Sequence, residues 1–237
     1  AGLVTAIALF LSGIRSLYPL MSFSLSAFVF VTIVLEFYRG AVARARISGR
    51  NILNALWDLT MRNKRRYGGY IVHLGVIMIF VGITGSSAFQ KEIFATVKPG
   101  ETIELDGYVM HYKGLVDQSS EHAQQIAARI DVQKNGREIG TLYPAKMLHK
   151  KHDPVSEVAI RQTLKEDLYL ILTNWDETQQ ASIKALVNPL VAWIWIGGTV
   201  MIIGSLIALG PDRLSRKAAV VQEKVVEQRS QEVGYAL

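Results

Sequence analysis

Three apolar runs, each about 20 residues long, constrain this sequence more than any other feature. They extend over Leu20 to Tyr38, Tyr70 to Phe89 and Pro189 to Leu209. A helix of that length matches the roughly 30 Å hydrocarbon core of a bilayer. A further apolar stretch, Ala1 to Ile14, is shorter than a span, and we interpret it as the remainder of a first helix that has lost its beginning. The sequence therefore predicts about four transmembrane helices, the first truncated.

Basic residues are concentrated between the first two of the long runs. Residues 39–69 contain many arginines and lysines against a single acidic residue, Asp58, and the tail 211–237 is also rich in basic side chains. Short basic loops stay on the cytoplasmic side, so both segments are predicted to be cytoplasmic. The net charge of +6 then reflects membrane orientation, and no nucleic-acid partner is expected because no recognition motif accompanies it.

The segment 90–187 is predicted to form an extracytoplasmic β domain. Alternating apolar residues in Tyr108 to Tyr112 and Ile126 to Val132 are typical of strands. Asp106-Gly107 marks a turn, and Asn135-Gly136 between alternating runs is a strong hairpin signal. About seven short strands would form a small sandwich or barrel. The predicted fold class is an α-helical membrane protein with one inserted all-β domain. Its parts are three spans in 1–89, the β domain at 90–187, a last span at 188–210 and a cytoplasmic tail.

Within the basic segment, a short helix is predicted from Ile52 to Thr60. One helical face is predicted to carry Ile52, Leu53, Leu56, Trp57 and Thr60, and Asn51 precedes them as a plausible cap. The pattern indicates either a helix lying in the membrane interface or a plain connecting helix.

His73 is the one histidine within a predicted span, and an ionisable group there is a candidate functional residue. Helical spacing places Gly69, Ile77 and Phe80 on its face, together with Tyr70 and Thr84. These residues would form an apolar wall with a glycine where a flat ring system approaches. Gly68, Gly75 and Gly82 recur on the opposite face, as expected for close helix packing. Metal ligation and simple packing against a neighbouring helix both remain open for His73.

The remaining residues offer little further chemistry. The sequence has no cysteine, which excludes disulfides, thiolate metal sites and covalent haem attachment to this chain. His111 lies in a predicted strand and His122 in a polar loop. His149 and His152 have a spacing that suits a metal, but the two lysines between them disfavour a cation.

Several motifs resemble the CcmF-type haem lyase subunit of cytochrome c maturation. The most specific is NKRRYGGYIVHLG over residues 63–75, followed by VGITGSSAF over 81–89 and NPLVAWIWIGG over 188–198. Shorter matches are Pro99 to Glu101, Tyr143-Pro144, Glu157 to Ile160 and Asp167 to Tyr169. The resemblance extends over nearly the whole chain and corresponds to the carboxy-terminal third of the family.

The resemblance implies a function in the bacterial inner membrane. Family members join haem to the thiols of apocytochrome c and carry a b-type haem (haem b) between transmembrane histidines, one of which matches His73. Arg65 and Arg66 would lie within reach of the haem propionates, and Gly69, Ile77 and Phe80 would face the ring. The implied partners are apocytochrome c, a haem chaperone, other maturation subunits, membrane lipid and the upstream part of the same protein, which holds the second ligand.

Two other functions remain open from the residues alone. A transporter or permease fragment would use His73 for proton or substrate movement. A membrane-anchored scaffold would use its β domain only to dock partners. A low-spin haem spectrum would exclude both.

Overall fold

The computed structural model describes residues 1–49, 51–119, 124–148 and 154–210. The chain divides into a helical unit, residues 1–81 and 194 onward, and a β unit, residues 82–193. The helices are α1 (Gly2–Leu11), α2 (Leu17–Ser48), α3 (Ile52–Arg62), α4 (Lys64–Ala88) and α5 (Val191–Leu209).

Three of the helices, α2, α4 and α5, are long and apolar enough to cross a membrane. They correspond to the three predicted spans, whereas α1 has only 10 residues. The boundaries differ from the predicted ones. Helix α2 continues through the basic residues as far as Ser48, because alanine and arginine favour helix, and ends at Gly49 in the left-handed conformation with φ 64°. The predicted loop at 39–69 is therefore largely helical.

Glycines allow α4 and α5 to pack backbone against backbone in the helical unit. A Cβ atom added to Gly75 would lie 2.6 Å from the Gly197 carbonyl oxygen, and one added to Gly68 would lie 2.7 Å from the Ala208 amide nitrogen. Neither position can therefore accept a side chain without moving the neighbouring helix. The predicted packing role of Gly68 and Gly75 is confirmed, and α5 is the partner helix.

Helix α3 packs against α2 by one side only. Arg44 of α2 donates a 2.6 Å hydrogen bond to Asp58, and Ala55 and Thr60 are buried. The large apolar side chains of α3 are exposed instead, namely Ile52, Leu53 and Trp57. The sequence predicts that Thr60 shares their face, but in the structure Thr60 is buried and does not lie with these exposed side chains. Asn51 occupies the N-cap position, but its side chain makes no capping hydrogen bond.

The described residues of the β unit form ten strands arranged in two sheets. One sheet has the order β1-β10-β9-β8, and the other has the order β2-β3-β4-β6-β7, with β5 paired to β4. All pairings are antiparallel. The strands are β1 (Lys91–Val97), β2 (Thr102–Leu105), β3 (Tyr108–Asp117), β4 (Gln124–Lys134), β5 (Arg137–Leu142), β6 (Ala145–Leu148), β7 (Val155–Glu157), β8 (Ala159–Arg161), β9 (Glu166–Trp175) and β10 (Ala181–Pro189).

A single apolar core lies between the two sheets. Met110, Ile130, Leu170 and Ala185 are fully buried there, and alternate residues of each long strand point inward. This alternation is what the sequence predicted for a half-buried strand. The predicted turns at Asp106-Gly107 and Asn135-Gly136 are confirmed, because both non-glycine residues have φ 49° and are followed by a glycine with positive φ.

The strand count exceeds the predicted number of about seven. The sequence predicts one strand from Glu157 to Arg161, whereas the structure has two strands of three residues here, β7 ending at Glu157 and β8 beginning at Ala159. Three residues are too few for the sequence to show where one strand ends and the next begins. Strand β10 continues through Pro189, which had been assigned to the last span, and α5 begins at Val191.

Candidate functional site

The position of His73 on α4 determines which of its ring nitrogens is available. Nδ1 lies 2.8 Å from the carbonyl oxygen of Gly69, one helical turn earlier. A carbonyl oxygen only accepts hydrogen bonds, so Nδ1 must carry the proton in this contact. The neutral ring then has its lone pair on Nε2, which is the nitrogen left to bind a metal or accept a proton.

His73 lines an apolar groove of about 560 Å³ within the helical unit. Helix α4 contributes Val76, Ile77 and Phe80 beside His73. Helix α2 contributes the other wall, which consists of Tyr18, Met21, Ser22, Leu25, Ser26 and Val29. The volume lies within the range of sites for small molecules and cofactors.

The structure brings together most of the residues predicted for this face. Ile77 and Phe80 line the groove with His73, and Gly69 supplies the carbonyl that orients the ring. A Cβ atom at Gly69 would meet nothing within 4 Å, so this position is open. Tyr70 and Thr84 do not line it: Tyr70 packs edge-on against Phe37 and Tyr67, and Thr84 is fully buried in the β unit.

The two predicted propionate contacts, Arg65 and Arg66, have different surroundings. Arg66 forms an ion pair with Glu36 of α2, and its Nε donates a 3.3 Å hydrogen bond to the Tyr70 hydroxyl. Arg65 is exposed, and the described part of the chain gives it no ion pair. The guanidinium of Arg66 is therefore already held by a carboxylate, whereas that of Arg65 is not.

Helix α2 supplies the part of the site that sequence reasoning missed. Its groove residues, Tyr18 through Val29, recur at spacings of three and four, so they form one stripe along the helix. That stripe was available in the sequence, but nothing marked it as different from the other apolar faces of a spanning helix. Glu36 was missed too, although it is the only acidic residue within the predicted run from Leu20 to Tyr38.

His111, the one other histidine within the described residues, does not join this site. His111 lies in β3, where it pairs with Thr102 and Asp131 of the neighbouring strands. His122, His149 and His152 lie outside the described residues, as does the tail after Gly210.

The arrangement supports coordination chemistry better than proton transfer along a path. A neutral imidazole nitrogen is presented to an apolar groove, and its ring is oriented by a backbone carbonyl through the other nitrogen. That combination is the usual support for a histidine ligand. Among the ten residues that line the groove, none is acidic or basic apart from His73.

Comparisons with known proteins identify relatives of both units. A family model described as the CcmF C-terminal β-sandwich matches residues 88–189. The cytochrome c-type biogenesis protein CcmF of Pseudomonas aeruginosa is 30% identical over 187 residues, which cover 78% of this chain and 27% of that protein. CcmF of Haemophilus influenzae is 29% identical over 148 residues, covering 62% of this chain and 23% of that protein.

A solved structure titled cytochrome c heme lyase CcmF has the same fold. It matches 89% of this chain and 33% of its own chain, with a TM-score of 0.70 and 21% sequence identity. This chain spans about a quarter of the length of the curated relatives it matches, with 27% and 23% of the two above. The chain belongs to the CcmF family of cytochrome c-type biogenesis proteins and corresponds to its carboxy-terminal part.

Proposed function

We propose that this chain is part of a haem lyase for c-type cytochromes, and that His73 is an axial ligand of a b-type haem bound in the groove between α2 and α4. The observation that supports the proposal most strongly is the state of the His73 ring. Nδ1 is engaged with Gly69, 2.8 Å away, which leaves Nε2 as the free ligand atom in an apolar site. The names of the relatives point to the same function.

The residues of the groove fit a haem. A bound haem would supply a one-electron redox centre. His73 would hold the iron, Gly69 leaves space because it has no side chain, and Ile77 and Phe80 would exclude water from the ring. An apolar surrounding also suits a largely apolar macrocycle. The open side of the groove, where Met21 and Leu25 are exposed, is where the upstream part of the protein would bring the second ligand.

Arg65 and Arg66 are proposed to neutralise the haem propionates. Arg66 lies seven residues before His73, which is about 10 Å along the helix and on nearly the same face. Because Arg66 already pairs with Glu36, a propionate there would share or displace that carboxylate. Arg65 has no such competitor in the described residues and is free to bind a carboxylate by itself.

The β unit is proposed to lie outside the cytoplasm of a bacterial inner membrane and to position apocytochrome c or another maturation subunit. The basic segment between α2 and α4 supports this orientation, since basic segments are retained inside. The proposed parts are three spans in 1–89, the β domain at 90–187, a last span at 188–210 and a cytoplasmic tail at 211–237.

A chimaera tests the overall function directly. This chain replaces the matching quarter of CcmF in P. aeruginosa, and covalent haem on a reporter cytochrome c is measured by haem staining. We expect the chimaera to restore maturation and His73→Ala to reduce it at least about tenfold, as expected for loss of a ligand. His111→Ala is the matched control. Normal maturation by the His73→Ala chimaera, at equal membrane levels, would contradict the proposal.

A further inference from the structure

A second cleft lies on the β unit and is basic rather than apolar. It has a volume of about 480 Å³ and is lined by Lys134, Asn135, Arg137, Ile139 and Arg161. We call these five residues the basic cleft. They come from the β4–β5 hairpin and from the end of β8, so secondary structure holds each of them in place.

One carboxylate opposes the three cations of the basic cleft. Glu166 is only 6% exposed; it pairs with Lys134 and accepts a 3.1 Å hydrogen bond from the Tyr108 hydroxyl. The ammonium of Lys134 also lies 3.8 Å above the Tyr108 ring. Lys134 is thereby satisfied within the protein, and Asp106 nearby is paired with Lys91.

The two arginines of the basic cleft lack a carboxylate partner within the described residues. Arg161 lies beside the Tyr108 hydroxyl, and Arg137 is exposed at the start of β5. In the part of the chain that the structure describes, neither guanidinium forms an ion pair with a carboxylate. Two guanidinium groups facing one cleft form a strong recognition site for an oxyanion, because each presents paired N–H donors.

The basic cleft lies next to the start of the apolar helix α5. The loop that follows Arg161 hydrogen-bonds to this start: the Lys165 carbonyl accepts from the Leu190 amide at 2.9 Å, and the Leu164 carbonyl accepts from the Trp193 indole at 3.1 Å. In the sheet register, Glu166 pairs with Pro189. The cleft is therefore at the end of the β unit where the candidate span begins.

The same loop has the composition of a membrane interface. Leu164 is 70% exposed at the tip of the loop, and Trp193 lies beside it. Tryptophan is enriched at the headgroup level, and arginine and lysine there attract anionic lipids. An apolar tip, an indole and two guanidinium groups that form no ion pair within the described residues are three separate indications of contact with headgroups at this end of the candidate span.

We propose that the basic cleft binds the phosphate of an anionic phospholipid headgroup at the membrane surface where α5 begins. Arg137 and Arg161 contact the phosphate oxygens, Asn135 provides an amide donor, and Leu164 enters the apolar layer. The volume leaves room for a glycerol headgroup beside the phosphate. This lipid site is independent of the haem proposal, since it requires only that α5 crosses the bilayer.

The test compares two charge-matched double variants of the full chain. Arg137→Gln/Arg161→Gln removes the two cleft arginines, and Lys113→Gln/Arg129→Gln removes two cations that pair with Asp131 and do not line the cleft. Each protein is reconstituted in phosphatidylcholine nanodiscs containing phosphatidylglycerol, extracted into detergent, and analysed for retained lipid by native mass spectrometry.

We expect the wild type and the Lys113/Arg129 variant to retain one phosphatidylglycerol, and the Arg137/Arg161 variant to retain at least about fivefold less. Equal retention by all three proteins, or equal loss in both variants, would overturn the proposal. So would cleft-dependent binding of soluble glycerophosphate or of an acidic peptide without lipid retention. If the double variant does not fold, the exposed single change Arg137→Gln gives the same comparison.

Discussion

At the residue scale, two glycines of α4 have opposite functions on opposite faces. Gly69 orients His73 through its carbonyl and leaves open space where a side chain would be. Gly75 has no space at all, because its missing Cβ would contact the backbone of α5. One face of α4 is thus open at Gly69, and the other is packed against α5 at Gly75.

Neighbouring glycines of α5 allow a matched test of this packing. A Cβ atom at Gly197 would lie 2.6 Å from the Gly75 carbonyl oxygen, whereas one at Gly198 would meet nothing within 4 Å. We expect Gly197→Ala to destabilise the helical unit by about 1–3 kcal/mol, as overpacking does, and Gly198→Ala to have little effect. Unfolding in mixed micelles, followed by tryptophan fluorescence, measures the difference. Equal stability of the two variants would contradict the packing described for α4 and α5.

At the element scale, the sequence predicts those features whose signal is local. The hairpin turns at Asp106 and Asn135 were found because a left-handed residue followed by glycine leaves a dipeptide signature. Strand β8 was not separated from its surroundings, because three residues are too few to show a period and its pairing partner β9 defines it. The packing of α4 on α5 was only half predictable: the glycine spacing showed a face, but not the helix that covers it.

In the candidate site, too, some features have a local sequence signal and others depend on contacts with a second helix. The stripe of Ile77 and Phe80 beside His73 follows from helical spacing, and so does the contact with Gly69 four residues earlier. The opposite wall from α2 and the Glu36–Arg66 ion pair depend on which helices meet, which no periodicity in one helix specifies.

Two buried tyrosines should make the β unit sensitive to alkali. Burial, aided by the Glu166 carboxylate, raises the pKa of Tyr108 from 10.0 to about 12, and burial with Asp176 raises the pKa of Tyr112 to about 12. Folding therefore favours the protonated phenols. Their contribution is complete below pH 10 and is lost as the pH rises towards 12, amounting to at most about 2.7 kcal/mol for each tyrosine.

Urea denaturation at a series of pH values measures this loss. We expect the stability of the β unit to fall between pH 10 and 12, and the Tyr108→Phe/Tyr112→Phe variant to show a shallower fall. Tyr143→Phe, at an exposed position, is the control. If the stability of the double variant falls with pH as steeply as that of the wild type, these two phenols are not the cause of the loss.

The isolated β unit should be most stable when β10 is complete. Val187 is fully buried and pairs with Lys91 on one side and Leu168 on the other. We expect a soluble domain from Gln90 to Pro189 to fold and to bind no haem stoichiometrically, and one that ends at Leu186 to be less stable by about 2 kcal/mol. Circular dichroism melts and haem titration measure both properties. A stoichiometric haem complex of the longer domain would show that the β unit holds haem itself.

At the scale of the whole molecule, the proposal assigns different functions to the two units. We propose that the helical unit holds a haem between α2 and α4 and that the β unit faces protein partners and the lipid surface. This division requires the basic segment 39–69 to be cytoplasmic, since orientation follows basic residues near the ends of spans.

Reporter fusions test the orientation. A fusion at Asn135, in the exposed β4–β5 turn, should be active only with a reporter that works outside the cytoplasm. Fusions after Gly49 and after Arg216 should be active only with a cytoplasmic reporter. The reverse pattern would invert the proposed topology and place the β unit inside the cell.

The optical spectrum and reduction potential of the purified chimaera, with and without the imidazole of His73, test whether this histidine binds haem iron. We expect a six-coordinate low-spin haem in the parent chimaera, its loss in His73→Ala, and its retention in His111→Ala. Added imidazole should partly restore the spectrum of His73→Gly, because the groove would then accept a free ligand in place of the ring. A His73→Ala protein with the parent spectrum and reduction potential would contradict haem ligation by His73 and leave it as a packing residue.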